Sequence, residues 1–227
     1  PNIVRIQDSG EANGQLYFVM EFCEAGTVED WIHKCGGCLP VPMAINLACQ
    51  VLDGLEYYHN ATLKMKIDPE GDEDEGRGLV HRDIKPENIL LTGSGEHLTA
   101  KIADFGLAKA FSLDGRYGLT RTGIVGGTLA FVCRQQILNY KYVSAEVDVW
   151  SACAVLYHML CGNPPRNIRR GQSALRMVLE EKPTPIRKRG VKIPSKLAKI
   201  IDRALDDSGN LTYRSAGDLK NDLMKFV

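Results

Sequence analysis

Residues 81–90 read His81-Arg82-Asp83-Ile84-Lys85-Pro86-Glu87-Asn88-Ile89-Leu90, and this stretch decides the fold. A second string, Lys101-Ile102-Ala103-Asp104-Phe105-Gly106, places its aspartate 16 residues after Asn88. Taken singly, each residue is weak evidence, because a lone aspartate or asparagine in a turn usually bonds its own backbone. Together the two strings fix many identities in a set order, so coincidence is a poor explanation for them.

These residue types suit transfer of a phosphoryl group to a hydroxyl, which needs a positioned nucleophile and cations against the phosphates. The carboxylate of Asp83 can accept the hydroxyl proton, and Lys85 can reach the transferring phosphate as a point charge. Asn88 and Asp104 offer hard oxygen atoms of the kind that Mg²⁺ prefers. We therefore predict catalytic roles for Asp83, Lys85 and Asn88. The predicted ligands of Mg²⁺, or of Mn²⁺ in its place, are Asn88 and Asp104.

At these residues the chain resembles the eukaryotic-like (Hanks-type) protein serine/threonine kinases, and the resemblance covers essentially all of it. Lys85 after the catalytic aspartate is what the serine/threonine branch shows. The resemblance implies ATP with Mg²⁺ as cosubstrate and a protein bearing Ser or Thr as acceptor. It also implies an α+β, protein kinase-like fold, mainly the helical C-terminal lobe with the last two strands of the N-terminal lobe and the hinge.

The resemblance assigns roles to further positions. Nucleotide-binding residues would be Met20 as gatekeeper, Glu21 and Cys23 in the hinge, Glu87, and Leu90 as the floor under the base. Structural support of the site would come from His81, Phe105, Gly106, Thr128 and Asp148. Asp148 would hold the backbone of the catalytic loop, which explains a charge in an otherwise apolar segment.

Residues 104–135 would form the activation segment. Its Leu119-Thr120-Arg121-Thr122 is similar to the paired-threonine loop of bacterial members of the family, which indicates a bacterial source. We predict that Thr120 and Thr122 are phosphorylated in trans by a second copy of the kinase, and that Arg82 receives a phosphate. The alternative is that both are plain exposed threonines.

The expected organisation is one partial kinase domain over residues 1–227. Within it, 1–20 would be a remnant of the N-lobe sheet, 21–26 the hinge and 27–227 the C-lobe. An acidic insertion at about 64–78 has no apolar face to bury, so we expect a solvated loop, with docking of a basic partner as the alternative.

Hydrophobic periodicity predicts the main elements. Strands are expected at 3–6 and 16–22 around an Asn13-Gly14 turn, followed by a helix capped by Thr27 with Asp30. Further helices are expected for the apolar stripe from Ala44 to Tyr58, for the wholly apolar run 147–160, and for 173–180, 195–205 and 215–226.

Three departures from the family pattern stand out. No G-x-G-x-x-G motif occurs in the chain, which begins at Pro1, so we expect a fragment that is inactive or nearly so. The usual A-P-E reads Cys133-Arg134-Gln135, and its arginine partner aligns with Thr212, so both ends of that ion pair are neutral together. We therefore expect Gln135 to pack near Thr212. Cys153 stands where the family usually has glycine.

Composition narrows the remaining possibilities. Lys+Arg and Asp+Glu both number 28, which argues against nucleic acid as a partner. No apolar run approaches the ~18 residues of a membrane segment. Seven irregularly spaced cysteines favour a reducing cytoplasm over a disulfide framework. The Cys35-Gly36-Gly37-Cys38 motif is more often a loop than a redox or zinc site, because no second pair supplies ligands.

The basic residues between 166 and 192 favour a solvated face over a docking surface. Two other function classes stay open: a non-catalytic, pseudokinase-like binding module and, less favoured, a small-molecule kinase.

Overall fold

The computed structural model describes residues 1–66, 73–77, 79–95, 97–104, 128–139, 142–168 and 172–227. The strands are β1 (Ile6–Ala12), β2 (Gln15–Met20), β3 (Gly26–Thr27), β4 (Thr62–Lys66), β5 (Glu73–Arg77), β6 (Ile89–Thr92) and β7 (Thr99–Ile102). The helices are α1 (Val28–Lys34), α2 (Val41–His59), α3 (Arg134–Leu138), α4 (Glu146–Cys161), α5 (Ala174–Glu180), α6 (Ser195–Ala204) and α7 (Ala216–Leu223). Short 3₁₀ turns cover Pro86–Asn88, Thr128–Phe131, Ile186–Arg189 and Met224–Phe226.

The first two strands form the predicted hairpin. Ala12 pairs with Gln15, and the intervening Asn13 and Gly14 have φ of 53° and 74°. Such a left-handed pair suits Asn-Gly, because asparagine and glycine tolerate positive φ better than other residues.

The first strand begins later than predicted, at Ile6, which pairs with Met20. Residues 2–4 do not extend it, because their backbone bonds the end of β7. The amide of Val4 donates to Ile102 O at 2.9 Å, and the amide of Ile102 donates to Asn2 O at 3.0 Å.

A small sheet in the order β3-β6-β7 lies at the centre of the molecule. β6 and β7 are antiparallel, with Ile89 opposite Ile102. Both of these side chains are buried, and so are those of Leu91 and Ala100. The hairpin therefore has one face in the core, while its open end carries the segments that precede β6 and follow β7.

Most of the helices share one core around α4, and Val178 of α5 packs in a second, smaller cluster with Leu129 and Val132. α2 packs against α4, α7 and β7. Every residue of α4 from 147 to 160 is buried, which confirms the expectation of a helix with no polar face. The helix ends at Gly162, whose left-handed φ of 66° suits a residue without a Cβ.

The other helix predictions are confirmed, with small shifts at the ends. Thr27 accepts from the amide of Asp30, and the Asp30 carboxylate accepts from the amide of Thr27, so α1 has the expected capping box. The late helices begin at or within one residue of the expected positions, and the last passes into a 3₁₀ turn after Leu223.

The acidic insertion differs from the expected loop. β4 and β5 pair antiparallel, with Lys64 opposite Glu75 and Lys66 opposite Glu73, while residues 67–72 lie outside the described part. Backbone pairing between two such segments does not require an apolar face, so hydrophobic periodicity gives no sign of this hairpin.

Within the described ranges, no helix is long and apolar enough to cross a membrane.

Candidate active site

The residues of the predicted catalytic loop lie between β5 and β6, and Asp148 binds the backbone of this loop. This aspartate is fully buried in α4, and its two oxygens accept from the amides of His81 at 2.7 Å and Arg82 at 2.8 Å. Nε2 of His59 lies 2.9 Å from the same carboxylate. Several donors around one buried carboxylate compensate its desolvation, so the carboxylate fixes the loop to the core.

The buried side chain of His81 joins the loop to the end of β7. Its Nε2 lies 3.1 Å from Ala103 O, and its Nδ1 lies 3.3 Å from the amide of Asp83. A neutral ring that donates from Nε2 and accepts at Nδ1 satisfies both contacts. Burial lowers the pKa of His81 below 6.5, which favours this neutral form.

Asp83, Lys85 and Asn88 are brought together by the loop. The ammonium of Lys85 lies 3.3 Å from Asp83 Oδ2. The amide nitrogen of Asn88 donates to Asp83 O at 2.8 Å and lies 3.2 Å from Asp83 Oδ2. The side-chain nitrogen of Asn88 faces Asp83, so the side-chain oxygen takes no part in these hydrogen bonds. An oxygen atom is the ligand that a hard cation requires.

Asp104 is placed beside this group by the β6–β7 hairpin. The amide of Ala103 donates to Asn88 O at 2.9 Å, so the residue before Asp104 is bonded to the predicted metal ligand. Asp104 is exposed and has a φ of 59°, and Arg82 has a φ of 66°. Left-handed non-glycine residues carry strain of about 1–3 kcal/mol and are concentrated at functional sites. The two oxygen donors, Asn88 and Asp104, fit a Mg²⁺ site.

The residues predicted to form the hinge connect the N-terminal hairpin to the central sheet. Met20 ends β2, and Glu21 N donates to Arg5 O at 3.0 Å. Lys101 Nζ lies 2.8 Å from Glu21 Oε1, and this hydrogen bond is the main reason why the pKa of Glu21 is lowered. The ion pair fixes the hinge against β7.

The other predicted nucleotide-binding residues lie after β2, in β6 and in the turn before β6. Cys23 is half-buried, and burial raises the pKa of its thiol. Leu90 is half-buried in β6, where it pairs with Thr27, and Glu87 is exposed in the turn before this strand.

Much of the activation segment lies outside the described residues. This holds for Phe105, Gly106, Thr120 and Thr122. Thr128 begins the 3₁₀ turn that leads to α3. Gln136, in α3, donates from Nε2 to Arg82 O at 2.8 Å, so the end of the segment is bonded to the catalytic loop.

The packing of Gln135 near Thr212 stays a prediction. Gln135 Nε2 donates to the carbonyls of Asp207, at 3.1 Å, and of Gly209, whereas Thr212 Oγ1 donates to Arg203 O at 3.0 Å. Each of these neutral side chains therefore bonds backbone oxygens.

A buried ion pair that the sequence reasoning missed lies beside Gln135. Arg166 Nη2 contacts both oxygens of Asp207, at 2.7 and 2.6 Å. Asp207 also accepts from the amide of Arg134 at 2.9 Å, and Arg166 stacks over Trp150 with 5.3 Å to the ring centroid. No local signal marks either residue, and the sequence predicts a solvated basic face for Arg166, which the fold buries instead.

Cys153 is packed in the core. It is buried in α4, with its sulfur 3.9 Å from Ile201 O, and burial raises the pKa of its thiol. The core therefore accommodates a cysteine where the family usually has glycine, and a buried neutral thiol reacts poorly.

Comparison with known proteins identifies the class. The family model described as "Protein kinase domain" matches residues 1–210. The chain therefore belongs to the protein kinase family, with an α+β fold that is mostly the helical C-terminal lobe.

Three relatives place the chain within that family. It is 34% identical over 165 residues to 3-phosphoinositide-dependent protein kinase B of Dictyostelium discoideum, covering 73% of this chain and 16% of the relative. It is 29% identical over 229 residues to serine/threonine-protein kinase PknB of Mycolicibacterium smegmatis, covering 99% and 33%. It is 31% identical over 228 residues to a probable serine/threonine-protein kinase of Clostridium perfringens, covering 99% and 29%. Within the family, the chain is of the Hanks serine/threonine type, and it spans about a third or less of these relatives.

Proposed function

We propose that these residues transfer the γ-phosphoryl group of ATP to a serine or threonine hydroxyl of a protein. The observation that carries the proposal is the grouping of Asp83, Lys85 and Asn88 within 3.3 Å of one another, with Asp104 at the same end of the hairpin. All the groups that this chemistry requires on the acceptor side are present in one place.

In the proposed reaction the substrate hydroxyl gives its proton to the Asp83 carboxylate as its oxygen attacks the γ-phosphorus. The bond from the γ-phosphorus to the bridging oxygen breaks, and ADP leaves. Lys85 neutralises charge on the transferring group. When bound through Asn88 and Asp104, Mg²⁺ would neutralise charge on the phosphates. Asp148 and His81 keep the loop in place.

The activation segment is proposed to control this site. Phosphorylation of Thr120 and Thr122 by a second copy would provide charge for Arg82, which is bonded through its carbonyl to Gln136. A bacterial source and a cytoplasmic location belong to the same proposal, and seven free cysteines support a reducing compartment.

The 227-residue chain alone is proposed to be inactive or nearly so. Its sequence contains no G-x-G-x-x-G motif, the element that would hold the β- and γ-phosphates and orient the reacting phosphorus over Asp83.

The test is phosphoryl transfer by the protein purified from its own cell, with γ-labelled ATP, Mg²⁺ and a general protein acceptor. Asp83→Asn should lower the rate by a factor of about 10²–10⁴, the usual contribution of a catalytic base. Asp53→Asn is the matched control, because Asp53 pairs with Lys220 at 2.6 Å on the surface of α2. An unchanged rate in Asp83→Asn would overturn the proposal.

The second candidate is a non-catalytic binding module. It is favoured by the hairpin β1–β2, where Tyr17, Phe18, Val19 and Met20 are all exposed, so apolar groups of both strand faces are uncovered. If this reading is correct, the purified protein binds a partner through the hairpin, and Asp83→Asn leaves its cellular role unchanged.

A further inference from the structure

Three of the free cysteines surround one turn far in sequence from the catalytic loop. Cys35 and Cys38 are exposed on the turn that follows α1, and Cys161 is the half-buried last residue of α4. Within the described ranges, no group of three or more His, Cys, Asp or Glu side chains is placed to hold a metal ion.

The turn is attached to the end of α4 by its backbone. The amide of Leu39, the residue after Cys38, donates to Met159 O at 2.7 Å. This contact lies two residues before Cys161.

A second contact between the turn and the end of α4 lies on the opposite side of Cys38 and Cys161 from the first. A Cβ at Gly162 would collide with the carbonyl oxygen of Gly37, so these two glycine backbones are in direct contact. Gly37 precedes Cys38 and Gly162 follows Cys161. In the first contact the order is reversed, because Leu39 follows Cys38 and Met159 precedes Cys161. The two segments therefore run antiparallel here, and Cys38 and Cys161 both lie in the stretch between the two contacts.

The turn itself is held in one conformation. The amides of Cys35 and Gly37 donate to the carbonyls of Trp31 and Ile32, both at 2.9 Å. Gly37 has a φ of 108°, a conformation that side-chain-bearing residues rarely adopt. Cys38 therefore has a fixed position on a hydrogen-bonded turn.

The two thiols interact electrostatically. Burial is the main cause that raises the pKa of the Cys161 thiol, and negative charge on Cys38 raises it further, against the lowering effects of Asn163 and Arg189. Cys38, which is exposed, is the thiol that an oxidant meets first. Cys161 is the neighbour that resolves the product, and its raised pKa makes this second step the slower one.

We propose that Cys38 and Cys161 are a modification site, a thiol pair that forms a reversible disulfide with a low-molecular-weight disulfide as oxidant. The Cys38 thiolate attacks oxidised glutathione, forms a mixed disulfide and releases one glutathione. The Cys161 thiolate then attacks the Cys38 sulfur and releases the second glutathione. Two protein thiols lose their protons and are oxidised, and one glutathione disulfide is reduced to two thiols. The link joins the end of α1 to the end of α4.

The experiment incubates the reduced chain with oxidised glutathione, blocks remaining thiols with iodoacetamide and maps the peptides by mass spectrometry without reduction. A peptide pair linking Cys38 to Cys161 is expected, and dithiothreitol should release it. The link should raise the apparent Tm by roughly 5–10 °C, because it constrains a long segment of the unfolded chain. None of these readouts requires phosphoryl transfer.

Two matched variants separate the pairings. Cys161→Ser should lose the link and retain glutathione on Cys38, whereas Cys35→Ser should form the link as the unchanged chain does. Wild-type mapping alone is decisive if a variant folds poorly. A Cys35–Cys38 link, glutathione attached without a protein disulfide, or no oxidation at these residues would each overturn the proposal.

Discussion

Arg166 and Asp207 form a bidentate ion pair in which the guanidinium and the carboxylate are both buried, with N–O distances of 2.7 and 2.6 Å. The pair connects three parts of the C-terminal lobe. Arg166 Nε donates to Glu181 O at 2.9 Å, and Asp207 accepts from the amide of Arg134 at the start of α3. The end of the activation segment is therefore anchored by this buried charge pair.

Removing one member of this pair should destabilise the fold strongly. Asp207→Asn leaves the guanidinium of Arg166 buried without its counter-charge, which typically costs about 3–5 kcal/mol. We expect the Tm to fall by roughly 6–20 °C for a domain of this size, as measured by differential scanning calorimetry.

A surface pair provides the control for Asp207→Asn. Glu180→Gln breaks the exposed Arg176–Glu180 pair on α5, which should change stability by less than about 0.5 kcal/mol. Replacing both buried partners, as in Arg166→Met with Asp207→Leu, should cost less than Asp207→Asn. Equal effects of Asp207→Asn and Glu180→Gln would show that the buried pair adds nothing.

Stability should depend on the protonation of His81. Its pKa is lowered by burial, so the unfolded chain takes up a proton below pH 6.5 that the folded chain resists. The contribution is fully present above pH 6.5 and is lost as the pH falls below it, by up to about 1.4 kcal/mol per pH unit until the folded pKa is reached. Urea unfolding at pH 7.5, 6.5 and about 5.5 measures this slope.

Two histidine variants isolate that effect. His81→Gln removes the titrating group and should flatten the slope below pH 6.5. His33→Gln should leave it unchanged, because the His33 side chain is 76% exposed. The prediction fails if His81→Gln retains the wild-type slope.

The metal assignment predicts a selective loss of nucleotide affinity. Asp104→Asn removes a negatively charged oxygen donor, so binding of ATP in the presence of Mg²⁺ should weaken by at least about tenfold, while adenosine binding should not change. Isothermal titration calorimetry of both ligands, with Mg²⁺ and with EDTA, makes the measurement. Asp53→Asn should match the unchanged chain, and equal weakening of adenosine would instead indicate damage to the hinge.

The sequence predicted what depends on local identity and periodicity. The catalytic string, the Asn13-Gly14 turn and the capping box at Thr27 are each written in consecutive residues, and the buried helix α4 follows from a run with no polar face. Contacts between residues far apart in the sequence could not be predicted in this way. Asp207 lies 41 residues from Arg166, and nothing near either residue indicates that they meet.

Pairing of backbone groups was equally hard to foresee. The β4–β5 hairpin has no alternating apolar pattern, and the shift of the first strand to Ile6 arises because β7 already occupies the backbone of residues 2–4. Such competition between partners is decided only once distant segments are brought together, so periodicity alone could not resolve it.

The helix α4 has a consequence for how this chain can change through evolution. Asp148 lies near the start of the helix and Cys161 at its end, and the residues on all of its faces are buried against neighbouring elements. Inserting one residue between them would turn one end relative to the other by about 100° and lengthen the helix by about 1.5 Å. Asp148 would then face away from the amides of His81 and Arg82. Related sequences should accordingly vary in composition along this helix but keep its length, and insertions should fall in the connections on either side.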